Sequence, residues 1–149
     1  MLALLQRVNF AEVSIAGQSV ARIESGTLAL IGLEKADTQA LADRLLDRIL
    51  AYRMFSDADG KMNLSLNDTG GGLLLVSQFT LAAATDKGLR PGFSTAMPPD
   101  QAEPLYDYLV EKARDKHAAI GCGQFGADMQ VALENDGPVT FLLKVRGNG

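Results

Sequence analysis

The sequence predicts an α/β fold: one domain over residues 1–149, with a mostly antiparallel or mixed sheet, hairpins and two main helices. Three observations carry that expectation. Two continuous apolar runs, Leu28–Ile31 and Leu73–Val76, have the length of strands buried on both faces. Two longer stretches, near residues 37–52 and 99–116, repeat apolar residues at helical spacing. Short alternating segments between Gly, Asn and Asp turns fill the rest, often paired as hairpins rather than in strict βαβ order.

Each element follows from its local chemistry. Val13-Ser14-Ile15 and Val20-Ala21-Arg22-Ile23 alternate around Ala16-Gly17-Gln18-Ser19, a hairpin signal. Gly26 precedes the apolar run Thr27–Leu33. Asp37 or Thr38 can cap a helix through about Tyr52, with Leu41, Leu45 and Ile49 on one face and Asp43, Arg44, Asp47 and Arg48 largely on the other. Asp57-Ala58-Asp59-Gly60 is a turn, Lys61–Leu66 a short alternating strand, and Asn67–Gly72 a second turn. Leu73–Phe79 is the second buried strand. Residues 82–98, with Gly88, Pro91, Gly92 and Pro98, form a long surface loop. Pro99 and Asp100 open a helix to about Lys116, in which Pro104 fits only near the first turn. Gly121–Gly126 is a break, and Met129–Leu133 and Val139–Val145 are strands on either side of Asn135-Asp136-Gly137-Pro138.

Composition narrows the chemistry. With 47% hydrophobic and 21% charged residues the chain is an ordinary folded one, and a net charge of −4 argues against binding nucleic acid mainly by neutralising phosphates. One His and one Cys, His117 and Cys122, allow neither a His/Cys zinc cluster nor an internal disulfide, so no metal and no cofactor is expected. The N-terminus lacks the basic and cleavage features of a signal peptide, and the apolar runs are too short to span a bilayer. A reducing cytoplasm, with no membrane association, is the expected setting.

Several motifs have ordinary readings. His117 falls at a helix C-terminus, where it satisfies carbonyls or the helix dipole. Cys122 has no second cysteine and no adjacent basic group in sequence, and reads as inert or merely oxidisable. Asp57–Gly60 begins like a calcium loop but lacks the later bidentate Glu. Gly70-Gly71-Gly72 precedes a strand, whereas phosphate-cradling glycines follow one.

Two segments resist such readings. Ser77-Gln78-Phe79-Thr80 places hydrogen-bonding and stacking side chains at the end of a buried strand, where α/β sheets bind ligands. Asn135-Asp136-Gly137-Pro138 reads, on spacing alone, as a tight hairpin. Its special option is an X-Pro bond, in which cis lies only ~0.5–1 kcal/mol above trans and would redirect the flanking carbonyls toward a ligand.

Together these segments resemble the D-aminoacyl-tRNA deacylase (D-tyrosyl-tRNA deacylase) family. The likeness extends over nearly the whole chain. It includes Gln6-Arg7-Val8, Phe55-Ser56-Asp57 with Asp59-Gly60-Lys61-Met62-Asn63, and Ser77-Gln78-Phe79-Thr80-Leu81. It continues through Lys87-Gly88 with Arg90-Pro91, Phe125-Gly126-Ala127 with Met129, and Asn135–Thr140. Each is weak alone, and in this order they are specific. One departure is visible, Ala82-Ala83-Ala84 where the family often has an aromatic, which alters the local wall of the pocket.

The resemblance implies the family's fold and a homodimeric hydrolase that cleaves the ester between a D-amino acid, or glycine, and the 3′ end of tRNA. It implies a cross-subunit site, in which a cis Gly137-Pro138 dipeptide of one subunit enters the partner's pocket and rejects L side chains by collision. Gln78, Phe79 and Thr80 are then the expected catalytic positions, with Ser77, Met129, Gly137 and Pro138 against the substrate and Arg7 holding the dipeptide. Such a site uses backbone groups and the substrate's own 2′-hydroxyl, and so does not need the residues this chain lacks. The acidic balance suggests contact confined to the acceptor end of tRNA. The rival reading is a non-catalytic nucleic-acid-binding module of the same fold. Lys87, Arg90, Lys144 and Arg146 are candidates for tRNA contact by charge alone.

Overall fold

In a computed structural model, which describes residues 1–147, strand β1 (Leu2–Ile15) organises the sheet by pairing with three neighbours. Its first half is antiparallel to β3 (Gly26–Gly32) and its second half to β2 (Gln18–Ile23). Along its other edge runs β8 (Gln130–Lys144), also antiparallel. The β1–β2 turn is only Ala16-Gly17, both at positive φ (49° and 79°), a two-residue geometry that matches strand twist. Beyond β3 the sheet becomes parallel, through β6 (Gly72–Ser77) to β7 (Ile120–Cys122). A small separate hairpin joins β4 (Phe55–Ser56) to β5 (Met62–Leu64).

The parallel β3–β6 contact depends on glycine. Gly26 lies opposite Gly72, and a Cβ on Gly26 would sit 2.0 Å from the Gly72 carbonyl oxygen. Alternation then sends side chains to two cores. Leu73 and Leu75 join the larger one, beneath helices α1 (Gln39–Ala51) and α3 (Pro99–Lys116), whereas Leu74 and Val76 face a second cluster with Val8, Val13 and Leu28. Along β1, Ala3 and Leu5 point to the helices, yet Ala11 and Val13 point away. An irregularity between Val8 and Phe10 shifts the register and produces that change of face.

The helices match their sequence signals. The Thr38 hydroxyl accepts from the Leu41 N–H at 3.3 Å, capping α1, and Pro99 opens α3. Pro104 sits inside α3, one turn further along than the first-turn position expected of it. No helix among the described residues is long and apolar enough to cross a membrane.

Three segments differ from the sequence reading. Leu66–Thr69 forms a short helix (α2), where the sequence predicts Leu66 to end a strand and Asn67–Thr69 to lie in a turn, because the Asp68 carboxylate accepts from both the N–H and the hydroxyl of Ser65 (2.8 and 3.0 Å), a capping box. Ile120–Cys122 is a strand and not a break, since it completes the parallel edge beside β6. Most consequential, Asn135–Pro138 is not a hairpin. Residues on both sides of it pair with the same strand β1 in the same direction, so the chain bulges without reversing.

Candidate active site

Strands β3 and β6 run parallel, so their carboxyl ends lie together, the position at which such sheets bind ligands. Ser77 pairs with Ile31, and the Gln78 N–H adds a bond to the Ile31 carbonyl at 2.8 Å. The chain then leaves the sheet as a 3₁₀ turn, Phe79–Ala82. Leu81 N–H donates to the Gln78 carbonyl at 3.1 Å, so the N–H groups of Phe79 and Thr80 come ahead of the bonded part of the turn. The Gln78 amide donates to the Thr80 hydroxyl. Phe79 is 63% exposed, and its ring packs against Phe93 with centroids 5.4 Å apart.

Ser77, Gln78 and Phe79 form one wall of a cavity of about 750 Å³, a size that takes a small-molecule ligand or one end of a larger one. Ile31, Leu33, Val76, Met97, Phe125 and Met129 make it largely apolar. Among the described residues that line it, Lys35 alone is charged. Thr80 is exposed just outside the lining. Phe125 is backed by Tyr106, whose ring lies 5.9 Å away and whose hydroxyl donates to the Leu75 carbonyl at 3.0 Å. Burial, reinforced by the Cys122 and Asp107 side chains, pushes the phenol well above its ordinary pKa and keeps it a neutral donor.

The second expected group sits on the β8 bulge. Gln6 pairs with Thr140 and Val8 with Asn135, so four residues of β8 face the single residue Arg7. The Asn135 side chain spans the bulge, donating to the Thr140 hydroxyl at 2.9 Å and accepting from the Val139 N–H at 3.1 Å. Arg7 ties it to the body of the protein. Its Nε donates to the Asp136 carbonyl (3.1 Å) and its Nη1 to the Met54 carbonyl (3.0 Å), with the Asp136 carboxylate 3.3 Å from Nε. Gly137 has φ +132°, and a Cβ there would lie 2.6 Å from the Val139 side chain, so the position demands glycine. The Gly137–Pro138 peptide is cis, and both residues are exposed.

The structure thus brings Ser77, Gln78, Phe79 and Met129 together around one cavity. It joins Arg7 to Asp136 at the base of a separate projection carrying Gly137 and Pro138, which does not line the cavity of its own chain. The remaining candidates lie elsewhere. His117 caps α3, with Nε2 2.6 Å from the Gly71 carbonyl. Cys122 does have a basic neighbour, since α3 brings the Arg114 guanidinium to 3.3 Å from its sulfur, a contact eight residues distant in sequence. Asp57 accepts from the N–H groups of Asp59 and Lys61 and from the Asn63 amide, which closes its turn and holds its pKa below the usual range.

Phe93 and Lys35 are among the lining residues that escaped the sequence reading. Phe93 belongs to the segment expected to be plain surface loop, and an aromatic between Gly92 and Ser94 was the available signal. It supplies an aromatic ring beside Phe79, close to the Ala82-Ala83-Ala84 departure. Lys35 gave no signal, because it stands between the apolar run ending at Leu33 and the helix cap at Asp37 or Thr38 with no motif around it.

The chain is 60% identical over 144 residues to the D-aminoacyl-tRNA deacylase of Stutzerimonas stutzeri (strain A1501), covering 97% of this chain and 99% of that one. It is 57% identical over 145 residues to the protein of that name from Cellvibrio japonicus (strain Ueda107), with the same coverage. Among solved structures it is similar to the c-Myc DNA Unwinding Element Binding Protein, with TM-score 0.94, 39% identity, and 99% and 100% of the two chains covered. It also shares the fold of a "probable eukaryotic D-amino acid tRNA deacylase", with TM-score 0.85, 17% identity, and 97% and 98% covered. A family model described as D-Tyr-tRNA(Tyr) deacylase matches residues 4–144, and with relatives this similar along the whole length the chain belongs to that family.

Proposed function

We propose that this protein hydrolyses the ester of D-aminoacyl-tRNA, releasing the D-amino acid and free tRNA. The observation that carries this reading is the likeness to chains bearing that activity's name, about 60% identical from end to end. The cavity where Ser77-Gln78-Phe79 ends a parallel strand supports this reading, since such strand ends are where α/β sheets bind ligands. Water attacks the ester carbonyl with help from the ribose 2′-hydroxyl. The N–H groups of Phe79 and Thr80, with Gln78 nearby, stabilise the developing oxyanion. The hydroxyl of Thr80 is bonded to the Gln78 amide and not to a His or Lys that could activate it as a nucleophile.

The protein works as a homodimer in this proposal, with Gly137 and Pro138 of each copy entering the other's cavity. Their exposure on an anchored projection, away from their own cavity, supports that exchange. So does β8, which pairs with β1 on one edge and with no strand on the other among the described residues. Selection is by collision with a fixed backbone: a D side chain points outward and an L side chain strikes the dipeptide. A thousandfold rejection of the L form needs ~4 kcal/mol, within reach of such a clash. Glycine, with nothing to collide, is a substrate on this reading.

The 39% identical structure described as a DNA unwinding element binding protein favours a second reading, a non-catalytic nucleic-acid-binding module. The net charge of −4 weighs against it, because such binding rests on phosphate contacts. A deacylation assay on matched D-, L- and glycyl-tRNA separates the two. Turnover of D- and glycyl-tRNA with the L form spared is expected. Steeply salt-dependent binding without hydrolysis would establish the module, and comparable D and L turnover would sink the collision model. Thr80→Ala retains most activity if the backbone serves the oxyanion and loses it if the hydroxyl is the nucleophile.

A further inference from the structure

Lys35 is the one charged residue lining the cavity among the described residues, and it stands on a turn whose other charges are already spent. Glu34 accepts from the Met1 ammonium at 3.0 Å and from Arg146, also at 3.0 Å, and this pairing, Arg146 foremost, lowers its pKa. Asp37 is paired with the same ammonium at 2.8 Å. Lys35 itself is exposed and has no ion pair among the described residues, so its charge is presented unshielded by its neighbours.

The turn is also rigid. The Asp37 N–H donates to the Glu34 carbonyl (3.1 Å), and the Asp37 carboxylate accepts from the Glu34 N–H (2.6 Å). Glu34 bridges Ala96, and the Met97 N–H donates to the Leu33 carbonyl at 3.0 Å. The backbone carrying Lys35 is therefore fastened to the 96–97 wall of the cavity itself.

We propose that Lys35 binds the phosphodiester on the 5′ side of the substrate's terminal nucleotide and so orients the aminoacyl end toward Ser77 and Gln78. This rests on the deacylase reading above. At the 3′ end of an aminoacylated RNA the ester, ribose and base are uncharged and the amino acid carries an ammonium. Unless the amino acid itself is acidic, the phosphodiester is the only anion there. A cation at one side of an otherwise apolar cavity attracts that anion and repels the ammonium, and both effects select the same orientation. A lysine suits the task as a compact point charge that contributes affinity without demanding fixed geometry.

The test uses two non-hydrolysable ligands, 3′-(D-alanylamino)-3′-deoxyadenosine and its 5′-O-methylphosphate. The wild-type protein is expected to bind the phosphate form ~5–10-fold more tightly, the size of one partly screened ion pair. That preference disappears in Lys35→Gln and persists in Lys35→Arg, while affinity for the phosphate-free ligand, which keeps only its ammonium, changes by no more than about twofold. Equal wild-type affinity for the two ligands, or a preference that survives in Lys35→Gln, would overturn the assignment while leaving the deacylase reading intact. A wild-type protein that binds neither ligand and turns over no D-aminoacyl-tRNA would overturn both.

Discussion

Replacing Arg7 with Met keeps the buried stem of the side chain and removes the guanidinium that ties the β8 bulge to the rest of the protein. Two hydrogen bonds from a charged donor are lost, to the carbonyls of Asp136 and Met54. Bonds of this kind contribute ~1.5–3 kcal/mol each. The two losses are unequal. Met54 is 1% exposed, so its carbonyl loses a donor where water does not easily replace it, whereas Asp136 is only half-buried on the bulge, where water can replace the lost donor. The Arg7–Asp136 ion pair, being half exposed, adds at most ~1 kcal/mol. A net loss of ~2–4 kcal/mol is expected, and at about 2–4 °C per kcal/mol for a chain of this size Tm falls by roughly 5–15 °C. The Asn135 bonds and the Gln6–Thr140 pairing remain, so the bulge persists but moves more. On the collision model that motion should lower the D-over-L preference by tenfold or more, equivalent to ~1.4 kcal/mol of lost rejection. Thermal unfolding and single-turnover deacylation of matched D- and L-aminoacyl-tRNA read the two effects separately. A lower Tm with unchanged chiral preference would refute the link between the anchored bulge and selection.

Other perturbations test the framework of the site. Gly26→Ala places a methyl 2.0 Å from the Gly72 carbonyl oxygen, where only backbone can yield. The parallel β3–β6 contact must open, at a cost of ~3 kcal/mol or more, so denaturant titration should give a markedly lower midpoint. Tyr106→Phe removes one donor from the Leu75 carbonyl, which keeps the Gly123 N–H at 2.9 Å, so the loss near neutral pH is only ~1 kcal/mol. Because burial raises the Tyr106 pKa, the folded state holds its proton when the unfolded chain, titrating near 10.0, has lost it. Its contribution is present below pH 10 and lost above, at up to ~1.4 kcal/mol per pH unit, and the variant should have a flatter alkaline limb. Glu34 is the opposite case. Arg146 and the Met1 ammonium lower its pKa from 4.5, so its contribution is present above that pH and lost as pH falls through the folded value. Glu34→Gln should flatten the fall of Tm between about pH 5 and pH 3, and an unchanged acid limb would mean the cluster is not felt in solution.

The elements legible in the sequence were those whose signal is local. The apolar run at Leu73–Val76 and the capped repeat of Leu41, Leu45 and Ile49 appear where periodicity and capping put them. Ser77-Gln78-Phe79-Thr80 stood out because a polar cluster closing a buried strand has a positional meaning in any parallel sheet, and Ser77, Gln78 and Phe79 do line a cavity. What failed was non-local. Asn135-Asp136-Gly137-Pro138 has the composition of a hairpin turn, and only its pairing on both sides with β1 makes it a bulge. The contact of Arg114 with Cys122 depends on α3 packing beside β7. Lys35 was invisible because its significance comes from the pairing of Glu34 and Asp37 with Met1 and Arg146, up to 112 residues away.

The scarcity of histidine and cysteine in this chain, one of each, acquires a physical meaning from the cavity. His117 is engaged with Gly71, Cys122 lies under Arg114, and the wall at Ser77–Thr80 offers hydrogen-bond donors rather than acids or bases. A nucleophilic mechanism would need an activated hydroxyl or thiol, and the Thr80 hydroxyl accepts from the Gln78 amide rather than donating to a base among the described residues. Oriented donors are still enough for an ester already attached beside a ribose hydroxyl, because most of the barrier that a protein can remove there is the cost of stabilising the oxyanion. Selection can then be left to shape. On the proposed reading, a collision discriminates without recognising the side chain it admits, so the same cavity would serve many D-amino acids, and the group that does the rejecting need not belong to the chain that binds. An anchored backbone projection that stands away from its own cavity has the form such a mechanism requires.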